Sequence, residues 1–187
     1  NFNNFHLYTS NESINDQAEY IRDGLKYEQW QNNILSMMKE NIPSEIHNMA
    51  TINALCLETL PQFLENIVQL KTVSKLHGPS LNFTLNILRF PSFQSPLVLP
   101  DDLRNLFKQN LEKFLSKNEK YLEHMEVNHT QRLIDYLDVV KTPHREAFEQ
   151  AKLKHDFKHF WAQYDMRRAK SFLQTFPKEL TDWYSTL

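Results

Sequence analysis

The stretch SEIHNMATIN, residues 44–53, decides the fold. Its apolar Ile46, Ala50 and Ile52 alternate with His47, Met49, Thr51 and Asn53, which is the two-residue period of a strand with unlike faces. Pro43 closes the helical pattern before it, YEQWQNNILSMMKENI (27–42), in which Trp30, Ile34, Met37, Met38 and Ile42 recur every three or four residues. After it comes LPQFLENIVQLKTVSKL (60–76), a helix with Phe63, Ile67 and Leu70 on one face, then the turn HGPS. A further strand pattern, LNFTLNILRFP (81–91), ends at Pro91, and upstream FHLYT (5–9) reads as a first strand. INDQAEYIRDGL leads from it into a helix, with Gly24 close to a turn.

Strands separated by whole helices run parallel, because a tight hairpin joins only antiparallel neighbours, and such crossovers are right-handed. A parallel sheet normally has both faces covered, so the polar positions of 44–53 predict a face that lines a cavity, as in half of a barrel. From residue 101 onward the strand signal ceases. LRNLFKQNLEKFLSKN carries Leu103, Leu106, Phe107, Leu111, Phe114 and Leu115 on one side, with Asp101 or Asp102 as its cap. Further helices are predicted over 129–140 and 144–175, the second with Phe148, Ala151, Phe157, Phe160, Trp161 and Tyr164 as a core stripe that Phe172 extends. DMRR (165–168) is expected to form ion pairs that anchor this helix. The expected organisation is α/β: half of a barrel with three parallel strands over 1–100, then a helical region over 101–187 packed on it, with no repeat or linker.

A chain of 187 residues buries roughly 70% of its unfolded surface and can hold a sizeable core. With 21 Lys and Arg against 23 Asp and Glu, the net charge of -2 gives no electrostatic case for nucleic acid or an anionic membrane. The single cysteine, Cys56, allows no internal disulfide and reads as a buried inert thiol; no run approaches 18 apolar residues and no signal-peptide pattern is present. Cytoplasm is the expected compartment, so the sequons at Asn11, Asn82 and Asn128 read as chance matches. Two glycines exclude a glycine-rich nucleotide cradle. His155 and His159 share a helix face but lack the glutamate of an HExxH motif and a nearby third ligand, so no metal-ligand set is expected. No paired acid and base or nucleophile constellation supports a hydrolase or transferase.

Five segments in order, LYTSNES (7–13), DQAEYIRDGLKYEQWQNNI (16–34), MATINALCLETLPQFLENIVQL (49–70), ILRFPSFQSPLVLP (87–100) and FWAQYDMRRAKSFLQTFPKELTDWY (160–184), resemble the downstream part of twitch-type radical S-adenosylmethionine proteins. The resemblance covers essentially the whole chain and lies in order and spacing. It implies a partial (β/α)6 TIM-like barrel whose fourth, fifth and sixth strands are the three here. It also implies S-adenosylmethionine at the strand ends: Ser10 for the ribose, Arg22 for the carboxylate, Thr51 and Asn53 for the adenosine, and Arg89 at the same rim. The family's 4Fe-4S cluster sits on three closely spaced cysteines after the first strand, which are missing here, and Cys56 alone cannot hold one. Its ligands are therefore expected in an upstream barrel half, and the start at Asn1 without methionine reads as the C-terminal portion of a longer protein. The intact enzyme would use radical chemistry on a substrate, with a peptide as the expected class.

Plainer roles exist for the same residues. Ser10, Asn11 and Glu12 could belong to a helix N-cap, with Ser13 or Asn15 starting the next helix, Arg22 could pair with Glu19 or Asp23, and Thr51 and Asn53 could satisfy loop backbone. The alternative function is a non-catalytic helical and half-barrel module for protein interaction.

Overall fold

The computed structural model describes residues 5–139 and 143–187. Its three strands, β1 (His6–Thr9), β2 (Glu45–Ile52) and β3 (Ser80–Ile87), form one parallel sheet in that order. β1 reaches β2 through helices α1 (Asn15–Ile21) and α2 (Tyr27–Lys39), and β2 reaches β3 through α3 (Leu60–His77). In register, His6 stands beside Glu45 and Glu45 beside Ser80. The period-2 alternation holds along β2: Ile46, Asn48, Ala50 and Ile52 are buried, while His47 and Thr51 are half-buried and Met49 is exposed. Leu81, Phe83 and Leu85 continue the covered face on β3. The other face, expected to line a cavity, is open: Tyr8 and Met49 on it are 60% and 38% exposed.

Helices then follow as α4 (Asp101–Asn118), α5 (His124–Leu137), α6 (Pro143–Arg168), α7 (Phe172–Thr175) and α8 (Lys178–Ser185). One continuous core joins the sheet to them, running from Ala18, Tyr20 and Ile46 through Phe107 and Leu133 to Phe157, Phe172 and Trp183. Tyr20 is its hinge, with the rings of Trp161, Tyr164 and Phe176 at 5.6, 5.2 and 5.0 Å. Its hydroxyl donates to Asp165 Oδ1 at 2.6 Å, and Asp165 Oδ2 accepts from the Phe172 N–H at 2.8 Å. In DMRR it is Arg168 that makes the expected ion pair, with Asp23 at 2.6 Å, whereas Asp165 works as a hydrogen-bond acceptor.

Several boundaries differ from expectation for local reasons. α2 ends at Lys39, where Asn41 turns to φ 51°, and Ile42 is left 53% exposed. The strand predicted to Pro91 ends at Ile87. Pro100, rather than an aspartate, is the N-cap of α4, with Asp101 and Asp102 in the first turn where the helix dipole favours them. α5 begins at His124, five residues before 129, on a reciprocal cap between Glu123 and Glu126. The helix expected over 144–175 stops at Arg168, where Ala169 takes φ 50° and the chain restarts as α7. Of Phe160, Trp161 and Tyr164 on the predicted stripe, Trp161 is buried and Phe160 is 38% exposed. Residue 140 and the side chain of Phe148 lie outside the described residues.

The outer edge of β3 is closed by side chains of α5. The Phe83 N–H donates to Glu126 Oε1 at 2.9 Å, the Leu85 N–H to His129 Nδ1 at 3.0 Å, and Arg132 Nη2 donates to the Leu85 carbonyl at 2.6 Å. Among the described residues no strand pairs with the outer edge of β1.

Candidate functional site

The carboxyl ends of parallel strands bring together backbone groups that the sheet leaves unpaired, and ligands collect there. In this chain the segment leaving β1 is fixed at that end by amides. Asn48, buried on β2, donates through Nδ2 to the Asn11 carbonyl at 2.8 Å and accepts the Asn11 N–H at 3.1 Å, so one side chain extends the sheet by an amide pair. Asn11 Oδ1 in turn accepts the Glu12 N–H at 2.9 Å, and Ser13 Oγ meets Thr59 Oγ1 at 2.6 Å at the start of α3. Asn11 is fully buried, so its sequon has no access to solvent.

Glu12 is thereby carried into the protein at 2% exposure. Its Oε2 accepts from Arg22 Nε at 3.0 Å and Nη2 at 2.6 Å, and the Thr51 backbone N–H also reaches the carboxylate. Burial pushes the Glu12 carboxyl above its ordinary range, and Arg22 and Thr51 offset part of that rise. Arg22 therefore pairs with neither Glu19 nor Asp23: Lys26 takes Glu19, and Arg168 with Lys170 takes Asp23.

The five residues expected to form the site divide. Ser10, one residue past β1, is half-buried, and neither it nor the Thr51 hydroxyl makes a side-chain hydrogen bond among the described residues. Glu12 links Arg22 to Thr51. Asn53 serves the turn after β2, its Oδ1 accepting the N–H groups of Leu55 at 2.8 Å and Cys56 at 3.2 Å. Arg89 is exposed beyond β3, its guanidinium 5.6 Å from the centre of the Tyr136 ring. Two cavities, of about 670 Å³ beside Arg104 and about 420 Å³ beside Lys170, include none of the five. Cys56 is fully buried, its thiol donating to the Asn53 carbonyl, and burial first, then Glu12, push it far above the ordinary thiol range.

Sequence reasoning gave neither Glu12 nor Asn48 a place in the site. Asn48 falls on the apolar face of the 44–53 alternation, and a polar residue on a buried face was the available signal. Glu12 stands out in the polar cluster that follows the first strand, but no periodicity links it to Arg22, ten residues and a loop away. No family model matches the chain, and no curated protein or solved structure matches it either.

Proposed function

We propose that the chain is the C-terminal half of the partial (β/α)6 barrel of a radical S-adenosylmethionine enzyme, acting on a peptide. The observation that carries this is the asymmetry of the sheet: three parallel strands in sequential order, one face covered by the core and the other polar and open. Such a sheet is half of a closed layer, and a second half beside β1 would turn the open face into a lumen.

The chain's residues fit the nucleoside cofactor better than they fit its metal cluster. Arg22 keeps Nη1 outside its pair with Glu12 and would meet the carboxylate, while Ser10 and Thr51 offer hydroxyls for ribose and adenosine. Glu12 fixes the guanidinium, Asn53 shapes the rim through the turn it closes, and Arg89 adds positive charge beyond β3. The cluster does not fit, because Cys56 is inaccessible and no other cysteine exists; its ligands belong to the upstream half. The bound cofactor would supply radical chemistry, and this chain would supply binding and orientation.

The test uses the full-length gene product. Iron and sulfide matching one or more four-iron clusters are expected, with an upstream cysteine triplet; a product without either leaves the non-catalytic half-barrel module. In the cluster-reconstituted protein, calorimetry should show S-adenosylmethionine binding weakened roughly tenfold or more by Arg22→Ala, which removes a charged partner of the ligand. Ser10→Ala, which leaves the Glu12 pair intact, should weaken it less. Unchanged affinity in both variants refutes the site even if iron is present.

A further inference from the structure

A second set of polar residues lies on the open face at the opposite, amino end of the sheet. Glu45 and His47 are two residues apart on β2 and so point the same way, and His6 is the register partner of Glu45 on β1. His6 Nδ1 stands 3.1 Å from Glu45 Oε2, and His47 Nε2 stands 2.9 Å from the same oxygen. All three ligand atoms lie within 4.8 Å of one another. The rings of His6 and His47 are parallel, 7° apart, and Tyr8 stacks on His47 at 4.9 Å and 17°, which restrains the imidazole.

We propose that His6, Glu45 and His47 form a binding site for a divalent transition metal of the zinc type, with an open coordination position. Two imidazoles and a carboxylate are a donor set that zinc accepts with three protein ligands and a water or substrate in the fourth position. Tetrahedral ligands about 2.0–2.1 Å from zinc stand about 3.3 Å apart, so the observed 2.9 and 3.1 Å need only small rotations to admit an ion. Metal and ring protons compete for the same nitrogens: on binding, the proton that each ring directs at Glu45 moves to its other nitrogen or to solvent, and the lone pairs turn inward. The side chains are 42%, 41% and 22% exposed for His6, Glu45 and His47, which leaves the fourth position to solvent. The site is independent of the proposal for Arg22, which lies at the other end of β1. His155 and His159, 6.2 Å apart between ring centres on α6, offer only two ligands.

Zinc titration of the protein against a chromophoric chelator should give one tight site per chain. His6→Ala and His47→Ala should each weaken it by roughly tenfold or more, whereas the double variant His155→Ala/His159→Ala should bind as the parent does. Far-ultraviolet circular dichroism of each variant separates loss of folding from loss of a ligand. X-ray absorption of the zinc-loaded parent needs no variant: two imidazoles and oxygen ligands without sulfur are expected. No stoichiometric zinc, unchanged binding in both His6→Ala and His47→Ala, or a shell with sulfur or fewer imidazoles would overturn the assignment.

Discussion

Replacing Glu126 should cost more stability than any other single polar change in the helical layer. Its side chain is fully buried and holds three donors: the Lys71 ammonium and the Glu123 N–H on Oε2, and the Phe83 N–H of the β3 edge on Oε1. In Glu126→Ala the ammonium of Lys71, only 7% exposed, loses its counter-charge, and breaking such a pair costs about 3–5 kcal/mol. The Phe83 and Glu123 N–H groups also lose their acceptor, at about 1–3 kcal/mol each where water cannot replace it. These losses share a site and do not simply add, so a total near 5 kcal/mol is expected. Against a total stability of about 5–15 kcal/mol, the variant should be close to unfolding.

Urea denaturation measures this directly, since a slope of about 2 kcal/mol/M converts such a loss into a midpoint shift of roughly 2 M or more. Glu126→Gln keeps one acceptor oxygen and should lose less, while Lys71→Met leaves a buried carboxylate still held by two N–H donors. The double variant Lys71→Met/Glu126→Gln has no unpaired buried charge and should be more stable than the sum of the single losses predicts, by a coupling of about 1–3 kcal/mol. Amide exchange at Phe83 should accelerate in Glu126→Ala. A loss below about 1 kcal/mol with Phe83 protection intact would show that the edge is not held by this carboxylate.

Burial first, then the charge of Glu179, push Glu58 up from 4.5 to about 7. A raised carboxyl gives its stability below about pH 4.5 and loses it as pH rises through 7, so Glu58→Gln should gain on the order of 1 kcal/mol over the parent at pH 8 and nothing at pH 4, as thermal midpoints across that range would show. Gly78→Ala places a Cβ 2.7 Å from the Met38 carbonyl oxygen, so the α2 end or the turn must move, at about 1–3 kcal/mol in urea. Gly24→Ala meets no atom within 4 Å but must hold φ 86°; it should lose about 1 kcal/mol, part of it recovered by Gly24→Asn, and equal losses in Ala and Asn would contradict a purely conformational origin.

The strands were legible because a two-residue period survives in short segments, and β2 shows both its faces in eight residues. The helix faces were legible for the same kind of reason. What escaped reading depends on distance or on unusual chemistry. The α5 start uses Glu123 as its cap, where Ser, Thr, Asp or Asn would have announced it. The break after Arg168 has no glycine or proline; Ala169 turns left-handed, with Lys170 donating to the Asp165 carbonyl and Asp165 accepting from Phe172 beyond it. Glu126 is 43 residues from Phe83 and Glu12 is ten from Arg22, and no periodicity links them. His47 was read as facing away from the core, but its convergence with His6 requires the register of β1 on β2, which only the folded sheet supplies.

The two edges of the sheet explain why a second barrel half would have one place to join. At β3 the outward N–H groups of Phe83 and Leu85 and the Leu85 carbonyl are held by Glu126, His129 and Arg132, so strand addition there would strip a buried carboxylate of its backbone donor and displace a helix. At β1 no described strand competes for the outer edge, and the open face beside it carries Tyr8, His47, Met49 and Thr51 rather than a dry apolar layer. An added strand would flank His6 at one end and Ser10 at the other. The two proposed sites then become separable by position along β1: completing the layer would enclose Ser10, Arg22 and Thr51 at the carboxyl end, while metal binding needs only β1 and β2 and should be measurable in the chain alone.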